Sequence, residues 1–380
     1  MKHKTMKLFT GIAILILLSV TFSYSYDNGD YAKAIKKARD LRDANLSHAN
    51  LTGRDLYGAD LTNSKLNDSI LCRADLRRAN LTGANLANAN MTNANLYMAV
   101  FDRANLSNTV FTQTSLFGIN LDNTTLSGAD FIKADLYGAS IRNSKVNRAD
   151  FTDANLIGAD LSGSDLSYAD FYGAKMTVVN LTGATLVHVD FGEADLNEAN
   201  MSDANMASVT IHGATLNRAD LSNSKLTDAV LKRSTFADAQ FVNADLTRCS
   251  LSDSFLDGAN FQGATLASVN INGAQLRNAN LSKASIKNAT VRNTNLSSAN
   301  LTRADLTGTR LINVNLSKAN LNRADLSNAR LDNVDFSHAN LRRVKLNNSQ
   351  RAVIEKFQVR NFDTIEWTEA DRSGAKMKSE

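Results

Sequence analysis

From Leu41 to Leu346 every fifth residue of the chain is apolar, 62 times without interruption. On an α-helix a step of five turns about 500°, so successive apolar residues would wind round the cylinder instead of lining one face. On a flat strand side chains alternate with a period of two, and an odd step would throw them onto opposite faces. Neither regular element buries this pattern. A chain that bends inward after every five residues buries all of it, because each short side then points its central residue at a common axis. The position two before each centre carries a second signal: apart from Arg39, Arg54 and Ile119 it is always Ala, Ser, Thr, Cys or Val. A small residue beside each large one is what a narrow, close-packed interior requires.

The inward positions sit in a recurring phrase, Ala-Asp-Leu or Ala-Asn-Leu followed by two polar residues, as in ANLTG at 79–83, ADLYG at 134–138 and ADLSN at 324–328. In this the chain resembles the pentapeptide-repeat family over 62 consecutive units, about four-fifths of its length. The resemblance implies an all-β fold: a right-handed quadrilateral β-helix, a pentapeptide-repeat solenoid with four units to a coil and short helical caps. Residues 20 apart would then stack on one face. With about 4.8 Å between coils, the array becomes about 15 coils and a rod on the order of 75 Å long. Phe111, Phe131, Phe151, Phe171 and Phe191 are expected to form an internal stack. The chain has no proline, which fits a backbone whose N–H groups all join a hydrogen-bonded ladder, since proline has none to donate.

Outside the array the pattern changes. Residues 1–25 read as a signal peptide, with Lys2, Lys4 and Lys7 before an apolar run from Leu8 to Val20 and small residues Ser23 and Ser25 after it, so cleavage is expected near Ser25. The run falls short of the roughly 20 apolar residues needed to span a bilayer. Export to the periplasm or the medium is therefore expected, with a retained N-terminal membrane anchor as the alternative. Stacked coils leave an open apolar end at each terminus, and caps are needed there. Residues 26–40 supply the first, where Tyr31, Ile35 and Ala38 predict a helix over 31–40. Residues 41–349 are the array. Residues 350–380 supply the second cap, with Val353, Ile354 and Phe357 at helical spacing, and a polar tail from Thr368.

The formal charge of +4 includes three signal-peptide lysines, so the whole-chain charge says little about partners. Its distribution says more: Leu41 to Asn200 holds 12 basic and 18 acidic residues, whereas Met201 to Ser349 holds 17 and 11, so the rod is polarised from acidic to basic.

Stacking at 20-residue intervals predicts three surface columns. Asp130, Asp150, Asp170 and Asp190 form an acidic ladder that could take a divalent cation or a basic partner; the competing reading is that Asp or Asn is the usual residue just before the centre. Tyr57, Tyr97, Phe117 and Tyr137, followed by Ile157 and interrupted by Arg77, form an aromatic column suited to a partner or to self-association. Lys283, Arg303, Arg323 and Arg343 form a candidate anion-binding ladder inside a segment, Gly258 to Ala304, with no acidic residue. No catalytic or metal-binding constellation emerges: His48, His188, His212 and His338 are scattered, and Cys72 and Cys249 lie nine coils apart, too far to bridge. Of the two thiols, Cys72 is expected to be exposed and Cys249 buried. These features predict a non-enzymatic binding or scaffolding rod without cofactor or small-molecule substrate. Its partner would be a protein or an anionic envelope polymer, and nucleic acid is disfavoured. The family resemblance implies one alternative, a duplex-DNA mimic that binds DNA gyrase and confers quinolone resistance. Such members are cytoplasmic and strongly acidic, and the export signal and basic C-terminal half depart from both.

Overall fold

The computed structural model describes residues 26–368; the expected signal peptide, 1–25, and the tail from 369 onward lie outside the described residues. Within them the chain is a β-solenoid of square coils. Parallel bridges join residues 20 apart, such as Asn80 with Val100 and Asp130 with Asp150, so four units complete a coil and the 62 units make about 15 coils.

One unit, Ala79 to Gly83, shows why this sequence closes into that shape. The Asn80 N–H donates to Ala59 O in the coil before (2.9 Å), and the N–H groups of Leu81 and Gly83 donate to Val100 O (2.7 Å) and Asp102 O (2.8 Å) in the coil after. The Ala79 N–H closes a turn onto Leu76 O at 3.0 Å. The last donor, Thr82 N–H, goes to the Asn80 side chain at 3.1 Å. All five N–H groups of the unit are satisfied without water, so proline has no position it could occupy.

The second residue after each centre from Leu41 to Leu341 adopts a left-handed conformation, as type II turns demand. Gly83 does so at φ +67°, but so do Asn63 (φ 56°) and Arg303 (φ 59°). The inter-coil hydrogen bonds hold non-glycine residues in a region they otherwise avoid. Where Asn lies directly below, glycine above it makes room: a Cβ on Gly83 would come within 2.5 Å of Asn63 Oδ1.

The centres and the small residues form one continuous dry core, with only traces of exposure from Leu41 to Leu346 apart from Leu331 and the start of the array at Arg39 and Arg54. The expected phenylalanine stack is present, with successive centroids 5.0, 4.7, 4.6 and 5.2 Å apart. Hydroxyls at the small inward position do more than save space. Ser144 Oγ donates to Leu121 O (2.9 Å) and accepts from the Thr124 N–H (3.2 Å), bridging the turn of the preceding coil. Ser234 makes the same bridge under Ile211, and on that face short parallel strands form: β1 (Thr210–His212) pairs with β2 (Val230–Lys232). Farther along that face β3 (Asn270–Asn272), β4 (Thr290–Arg292), β5 (Arg310–Asn315) and β6 (Arg330–Asp335) form a four-stranded sheet in that order.

Both caps differ in detail from the helical periodicity. Helix α1 spans Asn28–Ile35, three residues earlier than the spacing of Tyr31, Ile35 and Ala38 placed it, because the Asp27 carboxylate takes the N–H groups of Gly29 and Asp30 and starts the helix there. Lys37 at φ 62° ends it, and Ala34 rather than Ile35 is buried. At the other end α2 is only Arg351–Ile354. Closure there relies on Gln350, whose buried amide donates to Leu326 O (3.1 Å) and Ala329 O (2.7 Å), and on strand β8 (Glu366–Thr368), which pairs with β7 (Lys345–Asn347) and lays Trp367 against the core.

Candidate functional site

The interior is filled and its polar groups are nearly all committed, so whatever the rod does it does with its outer columns. The structure brings each expected column into register. Bridges join Asp130 to Asp150, Asp150 to Asp170 and Asp170 to Asp190. Their carboxylates, however, each accept the backbone N–H two residues on, at 2.8, 2.9, 3.0 and 2.9 Å for Ile132, Thr152, Tyr172 and Gly192. This is the role Asn80 plays in its unit. Asp and Asn recur before the centre because the turn needs a side-chain acceptor there. Among the described residues no group of His, Cys, Asp or Glu is arranged to hold a metal ion.

The aromatic column is exposed. Tyr97 and Phe117 each keep 59% of their surface open, and Met98 and Val100 widen the patch beside them. Phe117 and Tyr137 stack face to face at 5.5 Å. Tyr57 stands apart from them, held by the Arg77 guanidinium 5.4 Å from its ring centre. Sequence spacing showed the column; it did not show that Arg77 serves Tyr57.

The thiols separate as expected in part. Cys249 is buried, donates to Leu226 O at 2.7 Å and has its pKa pushed up to about 12 by burial, which keeps it protonated and inert. Cys72 is half-buried rather than open.

Two sets of basic residues stand out. One set is paired by stacking: Arg142 sits on Asp122, Arg218 on Glu198, Arg248 on Asp228 and Arg277 on Asp257, each acid 20 residues earlier. Burial pushes the Asp122 carboxyl up, but the Arg142 guanidinium, the Ser140 hydroxyl and the Arg142 N–H outweigh it and hold the group below the ordinary carboxylate range. The second set is the candidate anion ladder. Lys283, Arg303, Arg323 and Arg343 stack on one another, cation over cation, and among the described residues none has an acidic partner within 4 Å. Nearby acids are taken by other cations, Asp305 by Lys287 (3.0 Å) and Asp325 by Lys345 (3.6 Å). Lys283, Arg303 and Arg323 line an open groove of about 420 Å³ with Ser282, Asn300, Thr302, Asn322 and Arg342. A second hollow, of about 580 Å³, lies across the same face between Lys318, His338 and Arg360. Reading the column 15 residues on from the first ladder would have exposed Lys318 and His338 in the sequence; Arg360 enters only because the C-terminal segment adds a partial coil.

The fold and its surface define a class, a closed β-solenoid that offers side-chain columns in place of a pocket. The chain belongs to the pentapeptide-repeat family, whose model matches it in overlapping segments from 40 to 348. Among solved structures it is similar to HetL, a pentapeptide repeat protein involved in heterocyst differentiation regulation from the cyanobacterium Nostoc sp. strain PCC 7120, with 31% identity over 58% of this chain and 89% of that one and a TM-score of 0.30. It is also similar to full-length QnrB1, a plasmid-mediated fluoroquinolone resistance protein, at 18% identity over 65% of this chain and 98% of that one, with a TM-score of 0.17. A third likeness, to a pentapeptide repeat protein of the Arabidopsis thaliana thylakoid lumen, has 20% identity over 46% of this chain and 76% of that one, with a TM-score of 0.11. No curated protein matches the chain.

Proposed function

We propose that this protein is an exported, non-enzymatic binding rod whose basic C-terminal quarter docks onto an acidic macromolecular partner. The observation that carries the reading is the stack of Lys283, Arg303, Arg323 and Arg343 without acidic partners. At four other places the same fold sets an arginine over an acid one coil earlier. Like charges stacked at about 4.8 Å repel one another, and an anion laid along them relieves that repulsion. Retention of the mature protein on a carboxylate-bearing matrix tests this. It should be strong at low salt, fall steeply as the Debye length drops below about 8 Å, and weaken in Arg303→Ser with Arg323→Ser. Indifference to salt and to both substitutions would leave the ladder a solvated face. Export is tested separately, by N-terminal sequencing of the protein from fractionated cells; a mature terminus near Tyr26 in the envelope or medium supports it, and an intact Met1 in the cytoplasm contradicts it.

A second reading rests on the exposed patch of Tyr97, Met98, Val100, Phe117 and Tyr137, which suits docking of a protein or of a second copy. Tyr97→Ser with Tyr137→Ser should leave the melting temperature nearly unchanged and weaken association in sedimentation. A gyrase-binding duplex mimic is not proposed, since the acidic ladder is engaged by the backbone and the opposite end of the rod is basic.

A further inference from the structure

The face whose inward centres are Leu281, Leu301, Leu321 and Leu341 is bordered by cations at both corners. One edge carries Lys283, Arg303, Arg323 and Arg343; the other carries Lys318 and His338, with Arg360 beside them where it stacks on Asn340. All seven side chains are exposed. From Gly258 to Arg343 no Asp or Glu occurs on this face; Asp363 follows only in the partial coil that brings Arg360.

The floor between the edges is a row of amides. Asn280 donates to Asn260 (2.9 Å), Asn300 to Asn280 (3.1 Å) and Asn340 to Asn320 (3.0 Å), so the row is tied in two segments, 260–300 and 320–340. Beside it stand Ser282, Thr302 and Asn322, and the Asn322 side-chain oxygen has no hydrogen-bond partner among the described residues. A floor of amides and hydroxyls between cationic edges suits a ligand that is itself both hydroxylated and anionic along its whole length. From Gly258 to Arg343 no aromatic side chain stands on this face, since Phe261 points inward, and so the stacking platform that single-stranded nucleic acid uses is missing there. The repeat also fits. Coils rise by about 4.8 Å, close to the length of one pyranose unit in an extended sugar chain and shorter than the phosphate spacing of an extended nucleic acid strand.

We infer that this face binds a linear acidic polysaccharide lying along the rod axis, about one sugar unit to a coil, with carboxylates directed to the cationic edges and hydroxyls to the amide floor. This rests on the anion-docking reading above and specifies its ligand. The test titrates the full mature protein with oligogalacturonides from dimer to octamer, with their methyl esters, and with polyphosphate and oligothymidylate of matched charge. Affinity should climb up to about the tetramer, the span of Lys283 to Arg343, and then level off; the esters should not bind. Arg303→Ser with Arg323→Ser, and separately Lys318→Ser with Arg360→Ser, should each weaken the tetramer about tenfold or more, with unchanged thermal melts. Polyphosphate or oligothymidylate binding as tightly as the uronate would overturn the polysaccharide assignment and leave an anion-docking face standing. An unaltered affinity in Lys318→Ser with Arg360→Ser would remove the second edge. Absence of binding to every polyanion at low salt would end both readings together.

Discussion

The unit of this fold is a single pentapeptide, and each of its positions answers one demand. The centre fills the core and the small residue clears space beside it. The residue before the centre supplies the acceptor for the one N–H that no carbonyl reaches, as Asn80 does for Thr82. Two of these demands were plain in the sequence, because size and polarity recur with the period. The third was visible only as a preference for Asp or Asn, since its cause is a hydrogen bond made within the turn. The inward register gives a sharp expectation: Leu156→Asp buries an unpaired carboxylate and should cost several kcal/mol, while Ser268→Asp, on the surface, should stay within about 0.5 kcal/mol. Denaturant melts compare the two, and equal losses would contradict the register. Acid tests the stacked pairs. Because Asp122 titrates below its ordinary value in the folded chain, its contribution is complete above the unfolded carboxylate pKa of about 3.9 and disappears as pH falls through the depressed folded value. Asp122→Asn should therefore lower stability at neutral pH and flatten its fall in acid; an unchanged acid limb would show that the Arg142 pair contributes nothing.

At the level of elements the array was legible and the ends were not. Helical spacing of apolar residues located both caps but misplaced their boundaries. The reason at the first is a capping side chain, Asp27, that outweighs periodicity over so short a helix. At the second, the carbonyls left open by the last coil are met by a side chain, Gln350, rather than by a helix. That amide is buried and bonded to two carbonyls, so Gln350→Ala should destabilise by about 1 to 3 kcal/mol and should speed proteolysis from the C-terminal end first. Cleavage that begins at the N-terminal end in both proteins would contradict this closure. The short strands β1 to β6 were also beyond the sequence, because their centres keep the same period of five as the units that stay turns.

Over the whole molecule the acidic-to-basic gradient was countable in the sequence, but pairing was not. Twelve basic residues lie from Arg277 to Lys345, and only the fold separates those with an acid nearby, such as Arg277 and Lys287, from those without one, the stacked ladder among them. The fold itself supplies the decisive control. At four sites it pairs an arginine with an acid 20 residues earlier, as Glu198 does beneath Arg218. Lys283→Glu with Arg323→Glu would build that arrangement beneath Arg303 and Arg343 without touching the core. The measurement is the salt-dependent retention of this variant on a carboxylate-bearing matrix, read beside its melting temperature. The variant should melt at or above the temperature of the natural sequence, with retention lost at low salt. Undiminished retention in a folded variant would contradict the claim that the unpaired cationic face is the working surface of the rod.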